Sequence, residues 1–161
     1  MAAGSYAARY MAYTNLEGRQ ELLDELEAAV DAIAIAVAEL GEAYELLDDQ
    51  TADKLEEVLF RPATHASGRG KRTYTEFAQR HGFPPKTFPP GDVKHANGAR
   101  GHIDHAIEAL EGADHLLADL QDGMLPVEVG DAEVRAGIAE TRTLLAPLPG
   151  VARKLESLLG R

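Results

Sequence analysis

Between Leu16 and Asp49, apolar residues recur at alternating steps of three and four: Leu23, Leu26, Val30, Ile33, Val37, Leu40, Tyr44 and Leu47. A seam of that period is the mark of a helix docked along its whole length. At 1.5 Å per residue this helix runs about 50 Å, so it sets the length of whatever fold contains it. Its middle, from Ala28 to Ala38, is apolar on every side except at Asp31. A helix apolar all round must be surrounded by other elements or by a second chain, and the expectation is self-association, as a homodimer or other homo-oligomer, through residues 16–49.

The segments that follow are cut to similar lengths. Asp48-Asp49-Gln50-Thr51 ends the first helix in a short turn, which forces an antiparallel neighbour carrying Leu55, Val58 and Leu59 inward. Pro62 should kink that second helix, because proline lacks a backbone donor and crowds the preceding turn. Beyond it Ala63, Ala66, Gly70, Tyr74 and Phe77 keep the inner period as far as the stop at Gly82 to Pro85. Ser67-Gly68-Arg69-Gly70 is the weak point, since each glycine costs a helix about 1 kcal/mol relative to alanine, and 67–72 is either helix or loop. Phe83 to Gly91 holds four prolines and reads as an extended crossing segment. A third helix starts at Asp92 or at Asn97 and stops at Gly123. A fourth runs from about Asp131 and breaks at Pro147-Leu148-Pro149-Gly150.

The expected architecture is therefore all-α: one domain over residues 1–161, an up-down antiparallel bundle of four long helices, the second kinked near Pro62 and the fourth broken near Pro147–Pro149. Residues 1–15, with Tyr6, Tyr10 and Tyr13, are an N-terminal arm or a short helix. A capping box of Thr14 and Glu17 starts the long helix.

Composition narrows function mainly by exclusion. With no cysteine, thiol nucleophiles, disulfides and thiolate zinc sites are ruled out. No apolar run approaches the about 18 residues of a membrane span, so no membrane role is expected. MAAGSYAARY lacks the basic start and apolar run of a signal peptide, and cytoplasmic residence is expected. The net charge of −11 is unevenly spread. Eight Arg/Lys lie between Arg61 and His102 against only Glu76 and Asp92. Tyr74, Phe77, Phe83 and Phe88 interleave there with Arg72, Arg80 and Lys86, a mixture able to stack bases and neutralise phosphates. Phe77 and Phe83 also fit core positions and the surrounding acidity repels a long polyanion, so nucleic acid is not the expected partner.

Two constellations could carry chemistry. Asp104, Glu108, Glu111, His115, Asp119 and Asp122 form one stripe of the third helix, opposite its apolar seam, and read as a solvated face. In a continuous helix His95 and His102 share a face of small residues that would bring a neighbouring helix close, and His105 lies beside it. Folding each hairpin about its turn places Asp31, Arg69, Arg72, His102 and His105 at one height, with His65 and Glu76 nearby. These seven residues are the candidate ligand-binding set, suited to a small anion; the same layer could instead be a structural ion-pair network. The leading functional expectation is a non-enzymatic binding or interaction module that contacts its ligand through residues 61–105, with no cofactor and no metal assigned. The alternative is a bundle enzyme or metal site built on His102 and His105. Arg100-Gly101-His102-Ile103-Asp104-His105 resembles the R-x4-6-H signature of the HEPN-type helical ribonucleases over these six residues. The resemblance implies a phosphate-contacting Arg100 and His105 as acid or base on an RNA 2′-hydroxyl.

Overall fold

The computed structural model describes the backbone of residues 2–159 and the side chains of residues 14–159. The chain is an all-α bundle, and no strand occurs among the described residues. Helix α1 spans Ala2–Glu45, about 66 Å at the standard rise. It is followed by α2 (Asp49–Leu55), a π-helical turn (Glu56–Phe60) and α3 (Arg61–Arg80), which together form the second long element. After an extended segment come α4 (Ala99–Asp122), the single turn α5 (Leu125–Glu128), α6 (Ala132–Leu145) and α7 (Leu148–Leu159).

The helix boundaries have local causes. Nothing between Ala2 and Asn15 breaks a helix, so α1 runs through the expected Thr14 capping box instead of starting there; the side chains of Tyr6, Tyr10 and Tyr13 lie outside the described residues. Asp48 caps α2 by accepting the Thr51 N–H at 2.9 Å. The kink at Pro62 takes the form of the π turn. Arg61 N–H bonds to the Glu56 carbonyl five residues back, and the wider turn accommodates a proline that offers no donor to residue 58. Helix α3 then passes unbroken through 67–70. Gly70 has a packing reason, because a Cβ there would meet Val30 of α1 at 3.2 Å. Helix α4 starts at Ala99, later than Asp92 and close to Asn97, because Gly98 at φ 94° ends the extended segment in a conformation other residues avoid. Asp131 caps α6 through the Val134 N–H at 2.7 Å. It also accepts the Arg80 fork at 2.8 and 2.9 Å and lies 2.9 Å from His81 Nε2, so the end of α3 is tied to the start of α6. Burial opposes ionisation of Asp131, but these hydrogen bonds hold its carboxyl well below the usual carboxylate range.

Around the bundle, each adjacent pair is antiparallel. Gly70 lies against Val30 and Ile33 while Gly41 lies against Phe60, which sets α3 against α1. Glu39 meets His102 and His105, so the C-terminal end of α1 meets the N-terminal end of α4. Arg69–Glu140 and Arg80–Asp131 align α3 with α6, and Arg142–Asp114 closes the ring from α6 to α4. Helices α3 and α4 consequently lie on a diagonal and run in the same direction. The segment between them cannot be a hairpin turn; it returns the full length of the bundle along α1. Lys86 pairs with Glu27, Gly91 sits on the backbone of Ala34 and Ile35, and the Lys94 amide reaches Glu39.

This strap accounts for part of the apolar middle of α1. Val30, Ile33, Ala34 and Ala36 are buried among α3, α4 and the strap. The strap covers part of this circumference, while Ala28 is exposed and Ala32, Ile35, Val37 and Ala38 are only partly buried. Asp31 is half-buried; burial first and Glu27 second raise its carboxyl, and Lys86 opposes them.

Candidate functional site

Glu39 is the most buried charged residue among the described ones, at 0% exposure. It sits one helical step off the α1 seam, facing α4. His102 Nδ1 lies 2.6 Å from its Oε2, the Lys94 amide donates to Oε1 at 2.8 Å, and His105 Nδ1 lies 3.4 Å from Oε1. A carboxylate only accepts, so the short contact places the His102 proton on Nδ1. Burial opposes ionisation of Glu39, but the bonds from His102 and Lys94 and the fields of both imidazoles bring its carboxyl below the ordinary value. His102 is buried, whereas His105 stands at the edge with its ring edge-on to that of His102, 6.2 Å between centroids. His105 Nδ1 is buried without a hydrogen-bond partner, a state that costs a polar atom unless something else binds it.

One ligand atom from each of Glu39, His102 and His105 lies within 4.8 Å of the others. Two imidazoles and one carboxylate are the donor set of open catalytic zinc sites and of facial iron sites. The site opens on a groove of about 420 Å³ between α1 and α4, walled by Ala32, Ile35, Ala109 and Leu116 with Glu108 and His115 along its rim.

The structure distributes the seven sequence-predicted residues over separate places. His102 and His105 come together, but their acid is Glu39, not Asp31. Asp31 lies beside Glu27 and Lys86. His65, Arg69 and Arg72 line a different groove with Glu140, between α3 and α6. Glu76 is exposed on α3 near Arg80. The polar layer dissolves because it assumes a hairpin reversal between the second and third helices. The strap makes α3 and α4 parallel, so heights matched by a hairpin do not correspond. Glu39 could have been noticed as an acid two turns beyond Asp31 on the flank of Ala32, Ala36 and Ala43, small residues that admit a close helix. Arg100 and His105 diverge: Arg100 faces Glu156 of α7 at 3.8 Å, and His105 faces α1.

A second titrating group adjoins the site on the far side of α4. Burial first, then the neighbouring Asp104 carboxyl, raise Glu156 to about 7, against the opposing fields of Arg100 and Arg153. The folded chain keeps this proton between pH 4.5, its ordinary value, and about 7, whereas the unfolded chain releases it. Stability therefore declines as pH rises through that window. Glu156→Gln, a neutral mimic, is expected to match the parent near pH 4 and exceed it by about 3 kcal/mol at pH 8, since the rise from 4.5 to about 7 is worth about 1.4 kcal/mol for each tenfold change in proton affinity. Urea melts at the two pH values check this, and a gap that does not change with pH contradicts it.

No helix among the described residues is long and apolar enough to cross a membrane. Comparison with protein-family models, curated proteins and solved structures finds no match to this chain.

Proposed function

We propose that this protein is a helical binding module whose ligand is a divalent transition metal ion, held by Glu39, His102 and His105. The observation that carries this reading is the convergence of three metal-type donors, two of them buried, with His105 Nδ1 left without a hydrogen-bond partner. Imidazole and carboxylate together favour zinc, cobalt or iron over magnesium and calcium, which prefer all-oxygen sites. The Lys94 amide supplies the outer contact that orients a ligating carboxylate. Helices α1 and α4 hold the donors from two rigid elements, and the adjoining groove leaves one side of the ion accessible.

Titration of the chelator-treated protein with Co(II) tests the proposal. A single saturable site with a ligand-field spectrum is expected, lost in His105→Ala while the helical circular dichroism persists. Zinc at 100 times its dissociation constant should add about 2.7 kcal/mol to stability. Affinity should weaken as pH falls, because the donors must shed protons to bind. Equal Co(II) affinity in the parent and in His105→Ala would overturn the assignment.

A further inference from the structure

The basic part of the chain forms its own concave surface, away from the Glu39 site. Arg61, His65, Gly68 and Arg72 follow one another at steps of four, three and four along one face of α3, so they share a stripe. Arg69 flanks the stripe and Glu140 of α6 forms the opposite wall of a groove of about 660 Å³. Three guanidinium groups and an imidazole thus face one carboxylate, on a chain whose net charge is −11.

The groups in this groove are not equivalent. Arg69 is committed, with Nε on Glu140 at 2.5 Å and Nη1 on the Thr73 hydroxyl at 3.0 Å, and it is mostly covered. His65 and Arg72 are exposed, and among the described residues neither side chain has a hydrogen-bond or ion-pair partner. Arg69 therefore serves as a fixed wall, and the Arg72 guanidinium and the His65 imidazole are the uncommitted groups on either side of Gly68.

Gly68 lies between these two side chains. Glycine in a helix interior weakens the helix, and a native helix keeps one where packing or backbone geometry demands it. Gly70 meets that demand, since a Cβ there would press on Val30. Gly68 does not: its φ is helical, and a Cβ would meet nothing within 4 Å. Its missing side chain leaves open space along the groove, between His65 one turn before it and Arg72 one turn after it. This open position between the side chains of His65 and Arg72 leaves room for a ligand group to approach the helix.

We propose that this groove binds a small phosphate-bearing molecule, with its phosphoryl group over Gly68 between His65 and Arg72 and within reach of Arg61. The planar fork of an arginine matches phosphate oxygens in pairs. A small ligand is favoured over a nucleic acid because the acidic remainder of the surface repels a long polyanion beyond the groove. The site shares no residue with the Glu39 centre, so it stands or falls independently of the metal reading.

Isothermal titration of the full chain with inorganic pyrophosphate at low salt tests the proposal. One-to-one binding is expected. Gly68→Leu should raise the melting temperature, as a better helix former, yet weaken pyrophosphate binding at least tenfold by filling the open space. Arg72→Ala should weaken it by a similar factor, and Lys54→Ala, on α2, should leave it unchanged. No binding by the parent, or parent-like binding by the more stable Gly68→Leu, overturns the site. A single-stranded RNA 20-mer that binds more tightly than pyrophosphate, or sedimentation with phosphatidate vesicles that Gly68→Leu abolishes, overturns the small-ligand assignment in favour of nucleic acid or membrane phosphate.

Discussion

Gly91→Ala should be among the most damaging single-methyl changes this protein can undergo. A Cβ at residue 91 would overlap the carbonyl carbon and oxygen of Ala34 and the nitrogen of Ile35, all backbone atoms of α1. Flexible side chains could rotate away, but a helix backbone cannot, so the strap must lift. Lifting it draws the Lys94 amide off Glu39 and strains the Lys86–Glu27 pair. Overpacking of this kind costs about 3 kcal/mol at its upper range, or a fall in melting temperature of about 6–12 °C for a chain of this size. Gly112→Ala is the control: residue 112 is exposed on α4 with nothing within 4 Å of its Cβ, and alanine there should stabilise slightly. Hydrogen exchange at the Lys94 amide reports the strap directly. Protection at Lys94 that survives in Gly91→Ala would show that the strap is not held by this contact.

Glu39→Ala should cost a comparable amount for an electrostatic reason. It leaves the buried His102 Nδ1 and the Lys94 N–H without their acceptor, and breaking a buried pair by removing one partner costs about 3–5 kcal/mol. Glu39→Gln keeps an acceptor and should retain more than half of that stability. The contribution also depends on pH. Because the folded Glu39 carboxyl titrates below its ordinary value, its stabilisation is present at neutral pH and is lost as pH falls through the folded value. A double-mutant cycle with His102→Ala isolates the pair. Additive losses from the two single variants would mean that the 2.6 Å contact contributes nothing to stability.

The periodic elements were legible in the sequence, and the parts that depend on how the chain crosses itself were not. The seam from Leu23 to Leu40, the break before Pro62 and the stop at Gly123 are local facts of spacing and breakers, and each has its counterpart in a helix or its end. Pro84 to Pro90 announced an extended segment, but proline content does not tell a reversal from a return. That one ambiguity moved α4 by the length of the bundle relative to α3, and it separated Arg69 from His105. The two histidines were identifiable because they sit on a face of small residues. Glu39 was hidden by its neighbours: an acid beside Val37 and Leu40 reads as the polar flank of an amphipathic helix. Only the arrival of α4 and the strap makes that flank an interior. Conversely, Gly68 and Gly70 look alike in sequence, and only the position of Val30 distinguishes the glycine that packs from the one that leaves space.

The return of the strap along α1 also sets the order in which the chain can assemble. The contacts of α1 with α3, across one tight turn, span shorter stretches of sequence than those of Glu39 with Lys94 and His102, so their loop-closure cost is lower. Glu39 must wait for Lys94 and His102, which reach it only after the strap has lain down over a finished helical pair. The centre at Glu39 is then a late product of folding, absent from any early hairpin, and a donor pair that captured a metal before the strap closed would do so without its third member.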